Sequence, residues 1–325
     1  MKKSRSLSGI FAAAGMLAVI LNSETALRGA KDGIELCLHT VAASLFPFIY
    51  LGNVMGTSAH GLQIRPLEPV CRRLGLPKGS THLLFIAILG GYPAGAKAVA
   101  DAYNAGYLER RQAEKLLPSM NIAGPAFIFG MIGQFFSTRS APWFLWGIHL
   151  LSAFLVGMIT APNSSFRQIR DGGDRYAADP MGRTVKIMGT ICGWVILFRM
   201  IVTGLEKIMP LQTGILLKVI LRGLLELSNG CISLGLIEDE RLRFILCSGF
   251  LAFGGICVFM QTDSVTDGLS LRSYVVGKIL QCIVSAIFAT FLVYGYGWCI
   301  PLGACVCFLA TYVKNRAGKV SALRV

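Results

Sequence analysis

The stretch GGYPAGAKAVADAYNAGYL, residues 90–108, interrupts a chain that is otherwise apolar enough to lie in lipid. The apolar run before it, 83–89, is only about 10 Å long as a helix, so it cannot cross a hydrocarbon core of roughly 30 Å. A glycine pair and Pro93 then break the helical backbone. Pro93 suits the first turn of a new helix, and Gly106 suits its end. The stretch therefore predicts two half-helices around a break.

The segments on both sides of this break, 60–82 and 107–118, are rich in lysine and arginine. The positive-inside rule places both in the cytoplasm, and two half-helices with both ends on one side form a re-entrant hairpin. The hairpin tip leaves backbone N–H and C=O groups without helical partners. Such groups are tolerated at membrane depth only against protein or in a watery cavity. We therefore expect the tip to bind a polar molecule.

The composition is that of a membrane protein. Hydrophobic residues make up 54% of the 325 residues and charged residues 15%, whereas soluble domains carry about 25% charged residues. The mean hydropathy is +0.61, which argues against disorder and against an ordinary cytosolic enzyme. The net charge of +14 lies in short segments between apolar runs, so we expect no nucleic-acid partner. Most of the ten cysteines lie inside apolar runs without a CxxC pair, so we expect packing roles and no metal or cofactor.

The predicted fold is an all-α polytopic membrane protein with two pseudo-repeats. We expect the repeats to be inverted, each with a re-entrant or broken helix. Apolar runs predict full spans at about 8–22, 36–56, 119–137, 142–161, 186–205, 274–293 and 297–313. The predicted parts are an N-terminal transmembrane helix in 1–33, a first repeat in 34–162, a cytoplasmic linker in 163–185, a second repeat in 186–313 and a basic tail in 314–325.

Lys97 and Asp101 follow the first break, in the second half-helix of the hairpin. A cation near a helix N-terminus opposes the helix dipole, so Lys97 needs compensation, and Asp101 lies four residues on along the same face. One interpretation is a structural ion pair that neutralises both charges. The other is a contact with a solute or ion, since ionisable residues at membrane depth are commonly functional.

A second interrupted stretch, NIAGPAFIFGMIG at 121–133, places Asn121, Gly124 and Pro125 early in a span. Pro125 removes a helical hydrogen bond and frees a carbonyl near Asn121. A plain proline kink is the alternative to a binding site. Two breaks in neighbouring segments favour binding more than either break alone.

The second half repeats this pattern with a Gly-Gly break at 254–255, which we align with the break at 90–93. Its flanks carry fewer basic residues, which suggests the opposite membrane face. Paired interrupted segments in opposed halves are typical of a transporter site at the membrane midplane. In 211–226, charged residues recur every four positions among leucines. That spacing favours an amphipathic helix on the membrane surface over a tilted span.

The candidate binding residues are the small and polar residues at these breaks and their equivalents in the second half. For each second-half residue, plain packing is the alternative role. The candidates are Gly90, Gly91, Tyr92, Pro93, Lys97, Asp101, Asn121, Gly124, Ser228, Asn229, Gln261 and Thr262.

Several motifs together resemble those of the sporulation integral membrane protein YlbJ family. They are LFPFIYLGNVMG, LGGYPAGAKAVADAYNAGYL, NIAGPAFIFGMIG, GLLELSNGC, FGGICVFMQT and GLSLRSYVVGKILQ, within roughly 34–293. That family is similar to proteins with the nucleoside-recognition, or Gate, domain. The resemblance implies a role in endospore formation in the outer forespore membrane. It also implies passage of a small polar solute, with dipicolinate as the expected one.

The function that these observations favour is a multi-pass transporter or permease for a small polar or anionic solute. A nucleoside-type permease and a non-transporting scaffold for spore envelope assembly are the alternatives. The chain has no Walker motif, no HExxH and no GxSxG, so we expect neither ATP hydrolysis nor an enzyme. The expected partners are the lipid bilayer and the solute, and a homo-oligomer is left open.

Overall fold

The computed structural model describes residues 2–58, 64–161, 179–210, 212–266, 268–301 and 303. Every regular element within these ranges is helical. Six helical segments are long and apolar enough to cross a membrane: Ser23–Val54, Arg110–Phe135, Ala141–Thr160, Pro180–Ile208, Glu240–Val265 and Arg272–Val293. The predicted all-α, polytopic membrane fold is confirmed.

The N-terminal region contains three helices in sequence. Helix α1 is Lys2–Leu21, α2 is Ser23–Leu36, and a π-helical turn at Cys37–Ala42 joins α2 to α3, Ala43–Ser58. The predicted span at 36–56 therefore starts earlier in the structure, in the charged sequence of α2. The predicted span at 8–22 lies in α1.

The stretch that interrupts the apolar sequence forms a hairpin of two short helices. After α4, Glu68–Leu74, helix α5 covers Thr81–Gly90 and α6 covers Ala94–Asn104. At 1.5 Å per residue, each arm is only about 15 Å long, half of a hydrocarbon core. Gly106 has a φ of +79° after the end of α6, which suits glycine. We call α5 and α6 the first hairpin; its half-helices and its break lie where the sequence predicts them.

A broken span follows the first hairpin. Helix α7, Arg110–Met120, begins with a capping box of Glu109 and Gln112 and ends at an extended loop, 121–124. Helix α8, Pro125–Phe127, then continues through a π-helical turn to Phe135. The predicted interruption at 121–125 lies inside a longer span, which starts at Arg110 rather than at 119. The apolar run did not reveal this start because α7 is of mixed polarity. Helix α9, Ala141–Thr160, is a complete span.

The second half begins with α10, Pro180–Ile208, a long span that Asp179 caps. Helices α11, Ile215–Leu225, and α12, Leu227–Ser233, then form a second hairpin whose tip is Glu226, in extended conformation. The location of 211–226 on the membrane surface stays a prediction. Helix α11 is one arm of this hairpin, with Val219 and Gly223 buried against its neighbours.

A second broken span and a final complete span end the described fold. Helix α13, Glu240–Phe253, stops at Gly254, whose φ is +82°, and α14, Gly255–Val265, restarts at once. Helix α15 is Arg272–Val293. The alignment of the Gly-Gly break with the first hairpin tip was wrong, because this break lies inside a span. Its counterpart by position is the loop at 121–124, and the counterpart of the first hairpin tip is Glu226.

The two halves therefore contain the same order of elements: a long helix, a hairpin, a broken span and a complete span. Helices α9 and α15 pack together, α7 packs on α15, and α9 packs on α13. The long helices also pair, because Gly29 and Gly33 let α2 approach α10 closely. A Cβ atom at either glycine would lie 2.8 Å from the Cα of Met200 or of Ile196. The inverted relation of the halves stays a prediction.

Three predicted features fall wholly or mostly outside the described residues. They are the linker at 163–185, the span at 297–313 and the tail at 314–325.

Candidate functional site

The tip of the first hairpin touches the break of the first broken span. Gly91, with a φ of +71°, lies so close to Gly124 that a Cβ atom on Gly91 would be 2.9 Å from the Gly124 nitrogen. A Cβ atom on Gly124 would lie 3.1 Å from the Gly91 Cα and from the Leu89 carbonyl oxygen. Only glycine permits both this backbone conformation and this approach. The two interrupted segments of the first half thus meet backbone to backbone.

The second half contains the corresponding contact. A Cβ atom on Gly255, at the break of the second broken span, would lie 3.3 Å from the backbone nitrogen of Glu226 at the tip of the second hairpin. The two halves also meet here. The Tyr92 hydroxyl, from the first hairpin, donates a 2.9 Å hydrogen bond to the carbonyl of Leu251, in the last turn of α13. The carbonyl groups in the last turn of a helix have no N–H donors within that helix. All four backbone breaks therefore lie together.

A small cavity of about 40 Å³ lies between the two hairpin tips, and we call it the central cavity. Its polar lining comes from Tyr92, Glu226, Ser228 and Gln261, and its apolar lining comes from α3, α8, α10 and α14. Since a water molecule needs about 10–15 Å³ measured in this way, the cavity has room for only a few waters. The structure is therefore a closed form at this site.

Lys278 is a buried cation next to the central cavity. It lies in the middle of α15, 2% exposed. Its Nζ donates to the Tyr92 hydroxyl at 2.8 Å, to the Asn121 carbonyl at 3.1 Å and to Gln281 Oε1 at 2.7 Å. The Tyr92 hydroxyl hydrogen is already used by Leu251. All three partners therefore act as acceptors, which matches the three donors of an ammonium group.

Asn121 is the centre of a second group of buried polar contacts. Its Nδ2 donates to Thr262 Oγ1 at 2.7 Å and to the Tyr274 hydroxyl at 3.1 Å. The Nε2 of His149 accepts the backbone N–H of Ala123 at 2.9 Å, so His149 carries its proton on Nδ1. In the described structure, Asn121 Oδ1 and His149 Nδ1 are buried without a hydrogen-bond partner. These contacts tie the first break to α9, α14 and α15.

Glu226 is part of the lining of the central cavity, as is Tyr92. It is 2% exposed. Its carboxylate accepts the backbone N–H groups of Ser228 at 2.9 Å and Asn229 at 2.7 Å. Asn229 in turn accepts from Arg199 at 2.6 Å, and Arg199 pairs with Asp32 of α2. A buried carboxylate thus lines the same cavity as Tyr92, whose hydroxyl binds the buried ammonium group of Lys278.

Lys97 and Asp101 form the predicted ion pair, but away from the central cavity. Asp101 also binds Arg183, at the start of α10, at 2.5 Å. The three residues line a separate small pocket that also includes Asn53 of α3. Asp101 therefore links the first hairpin to α10 with two cations on one carboxylate. This arrangement corresponds to the structural interpretation of the pair.

The other sequence candidates divide between the cavity and its surroundings. Tyr92, Gly124, Ser228 and Gln261 line the central cavity. Gly90, Gly91 and Pro93 shape the tip behind Tyr92, with a cis peptide bond before Pro93. Asn121 and Thr262 hydrogen-bond to each other beside the cavity, and Asn229 binds Glu226 and Arg199.

Sequence reasoning missed three residues that the structure places at or beside the cavity: Glu226, His149 and Lys278. Lys278 and His149 lie in the middle of apolar spans. The rule that ionisable residues at membrane depth are functional could have found them. Glu226 lies in the GLLELSNGC motif but was assigned to an exposed helix face.

Broken helices that meet at a polar cavity between two repeated halves define a class, the polytopic membrane proteins with discontinuous helices. Within it, the chain is similar to the sporulation integral membrane protein YlbJ of Bacillus subtilis (strain 168). The two are 23% identical over 323 residues, which cover 84% of this chain and 79% of the relative. This similarity confirms the resemblance drawn from the motifs. No family model and no solved structure matches the chain.

Proposed function

We propose that the chain is a secondary permease that carries a small, anionic solute across a membrane during endospore formation. The observation that carries the proposal is the meeting of four backbone breaks at one cavity. Irregular backbone is tolerated at membrane depth where it lines such a cavity, and interrupted helices in two halves form the solute sites of many transporters. The name of the relative supports the link to sporulation.

The charge of Lys278 favours an anionic solute. Its ammonium group lies 5.0 Å from the centre of the Tyr92 ring. Tyr92 also lines the central cavity. In the described structure, Lys278 has neutral hydrogen-bond partners and no ion pair. A carboxylate-bearing solute would supply the missing negative charge. Dipicolinate, the solute that the family resemblance implies, has this chemistry.

A nucleoside is the second candidate solute. Glu226, Ser228 and Gln261 offer hydrogen-bonding groups to the cavity, and a carboxylate favours hydroxyl and amino donors over an anion. We favour the anion because Lys278 has no counter-charge, whereas Glu226 already accepts two backbone N–H groups.

Transport requires the cavity to enlarge, because about 40 Å³ does not hold a ring dicarboxylate. The hairpins are the elements that we propose to move, since the tip of each rests on a broken span through a glycine contact. The proposed location is the outer forespore membrane. The proposed partners are the bilayer and the solute, without a catalysed reaction.

The test is uptake by proteoliposomes of the purified chain, with radiolabelled dipicolinate and a nucleoside compared. We expect dipicolinate to enter above the level of empty liposomes. The cavity variant Gln261→Leu should lose about tenfold in initial rate, since one lost hydrogen bond of about 1.4 kcal/mol corresponds to that factor. Gln134→Leu, at an exposed glutamine, is the matched control. Absence of uptake of both solutes by folded protein would favour the scaffold.

A further inference from the structure

We propose that Glu226 takes up and releases the coupling proton of the transport cycle, so that the anionic solute crosses together with H⁺. The proposal rests on the permease function above. It assigns the driving ion, which neither the sequence motifs nor the similarity to YlbJ supplies.

The position of Glu226 suits a group that exchanges a proton with both sides of the membrane. Its carboxyl group is buried, lines the central cavity, and lies at the tip of the second hairpin, which the proposed function moves when the cavity enlarges. Its two oxygens accept the N–H groups of Ser228 and Asn229, so its orientation toward the cavity is defined by its own hairpin. A group in this position is exposed to each side only as the hairpin moves.

The charges around Glu226 favour its protonation. Arg199 of α10 is the nearby cation, and it already pairs with Asp32 at 3.2 Å while donating to Asn229. The other titratable groups that face Glu226 are the thiols of Cys37, Cys231 and Cys257. In the described structure Glu226 itself forms no ion pair. One cation thus serves two carboxylates, and a proton is the simplest species that balances the second.

A bound anionic solute would also favour protonation of Glu226. An anion in the central cavity would lie beside the Glu226 carboxylate, and two like charges a few ångströms apart in a low-dielectric site are not both ionised. Protonation removes this repulsion and converts one Glu226 oxygen from an acceptor into a donor toward the solute carboxylate. Lys278, which is bonded to the Tyr92 hydroxyl, then stays as the attracting charge. One proton enters from the first compartment and one leaves to the second in each cycle.

The experiment compares two transport modes in proteoliposomes loaded with a pH-sensitive dye. The probes are dipicolinate accumulation driven by an imposed pH gradient and dipicolinate exchange at equal pH on both sides. The wild type should show both, together with solute-dependent proton flux. Glu226→Gln should lose at least about tenfold of gradient-driven accumulation and its proton flux, and a clearly smaller factor of exchange, because glutamine retains the donor of a protonated carboxyl group but takes up no proton. Glu35→Gln, at an exposed carboxylate of α2, is the control and should behave as wild type.

The outcomes separate this proposal from the proposed function. No wild-type uptake at all would overturn the permease and this proposal with it. Uptake that ignores the pH gradient, or gradient-driven uptake that survives in Glu226→Gln, would overturn only the proton role. A folded Glu226→Gln protein that loses exchange by the same factor would make Glu226 a solute-binding residue, which likewise contradicts proton coupling.

Discussion

Replacement of Gly91 by alanine tests whether the first hairpin tip rests directly on the broken span. Gly91 has φ +71° and ψ −168°, a region that is essentially restricted to glycine and costs other residues about 1–3 kcal/mol. The added Cβ atom would also lie 2.9 Å from the Gly124 nitrogen and 3.2 Å from its Cα. Such overpacking against backbone costs about 1–3 kcal/mol more. We therefore expect a total loss of about 2–6 kcal/mol in the free energy of unfolding.

Two matched variants separate the strain from the steric clash. Gly106→Ala has a similar φ of +79° but no atom within 4 Å of the new Cβ, so it should cost only about 1–2 kcal/mol. Gly124→Ala, at a φ of −78°, introduces the clash without the strain.

The assay is the midpoint of thermal unfolding in detergent, followed by the loss of the monodisperse peak in size-exclusion chromatography. Gly91→Ala should melt at least about 2 °C below Gly106→Ala, since the clash adds about 1–3 kcal/mol and 1 kcal/mol shifts the midpoint of a chain of this size by about 2 °C. Equal midpoints for Gly91→Ala and Gly106→Ala, with a wild-type midpoint for Gly124→Ala, would refute the backbone contact between tip and span.

Three further predictions test the charges and the topology. Lys278→Met should lower dipicolinate uptake at least about tenfold without lowering nucleoside uptake, since only the anion needs the ammonium group; equal losses for both solutes would contradict this role. Asp101→Asn should lower stability by about 2 kcal/mol, because it leaves its two cationic partners close together without a counter-charge, and an unchanged melting midpoint would show that the cluster is solvated. Burial, and then the nearby Glu68 carboxylate, raise the pKa of Cys71 from 9.0 to about 11. At neutral pH its thiol should therefore react with a maleimide about a hundredfold more slowly than a cysteine of pKa 9, whereas single cysteines replacing Lys78 and Arg111 should react at once and from the same membrane side.

The first hairpin was predictable because its signals are local. The Gly-Gly pair, Pro93 and Gly106 each place a break or an end, and the short run before them is too short to cross the bilayer. These are backbone properties, so they survive in any tertiary environment. The spans were equally predictable from apolar length, although the start of the first broken span was not, since α7 is of mixed polarity.

The second hairpin was not predictable in this way. Its tip is Glu226, without glycine or proline at the turn, and its side chain replaces the missing helical partners of two backbone N–H groups. In the sequence, the same residue continues a four-residue spacing of charges and favours a surface helix. Whether a carboxylate faces water or caps a buried turn depends on packing against α13 and α14, which periodicity does not encode.

The functional side chains were predictable as residue types at breaks, but their grouping was not. Lys97 and Asp101 pair as the spacing predicts, yet their helix turns them toward α3 and α10, away from the cavity. Tyr92, a weaker candidate from the sequence, is central because its hydroxyl reaches the other half of the protein. Distance along a helix from a break therefore says little about distance from the site.

The contacts across the two halves suggest why solute binding and opening are coupled. Lys278 belongs to the second half but binds Tyr92 and Asn121 of the first, while Tyr92 binds Leu251 of the second. A displacement of the first hairpin that enlarges the cavity must break or exchange these bonds, which leaves the ammonium group short of acceptors. An anion that enters the cavity offers replacement acceptors at that moment, whereas a neutral solute offers weaker ones. In the proposed permease, the hydrogen bonds that hold the empty protein closed would thus favour opening toward the ligand that best replaces them.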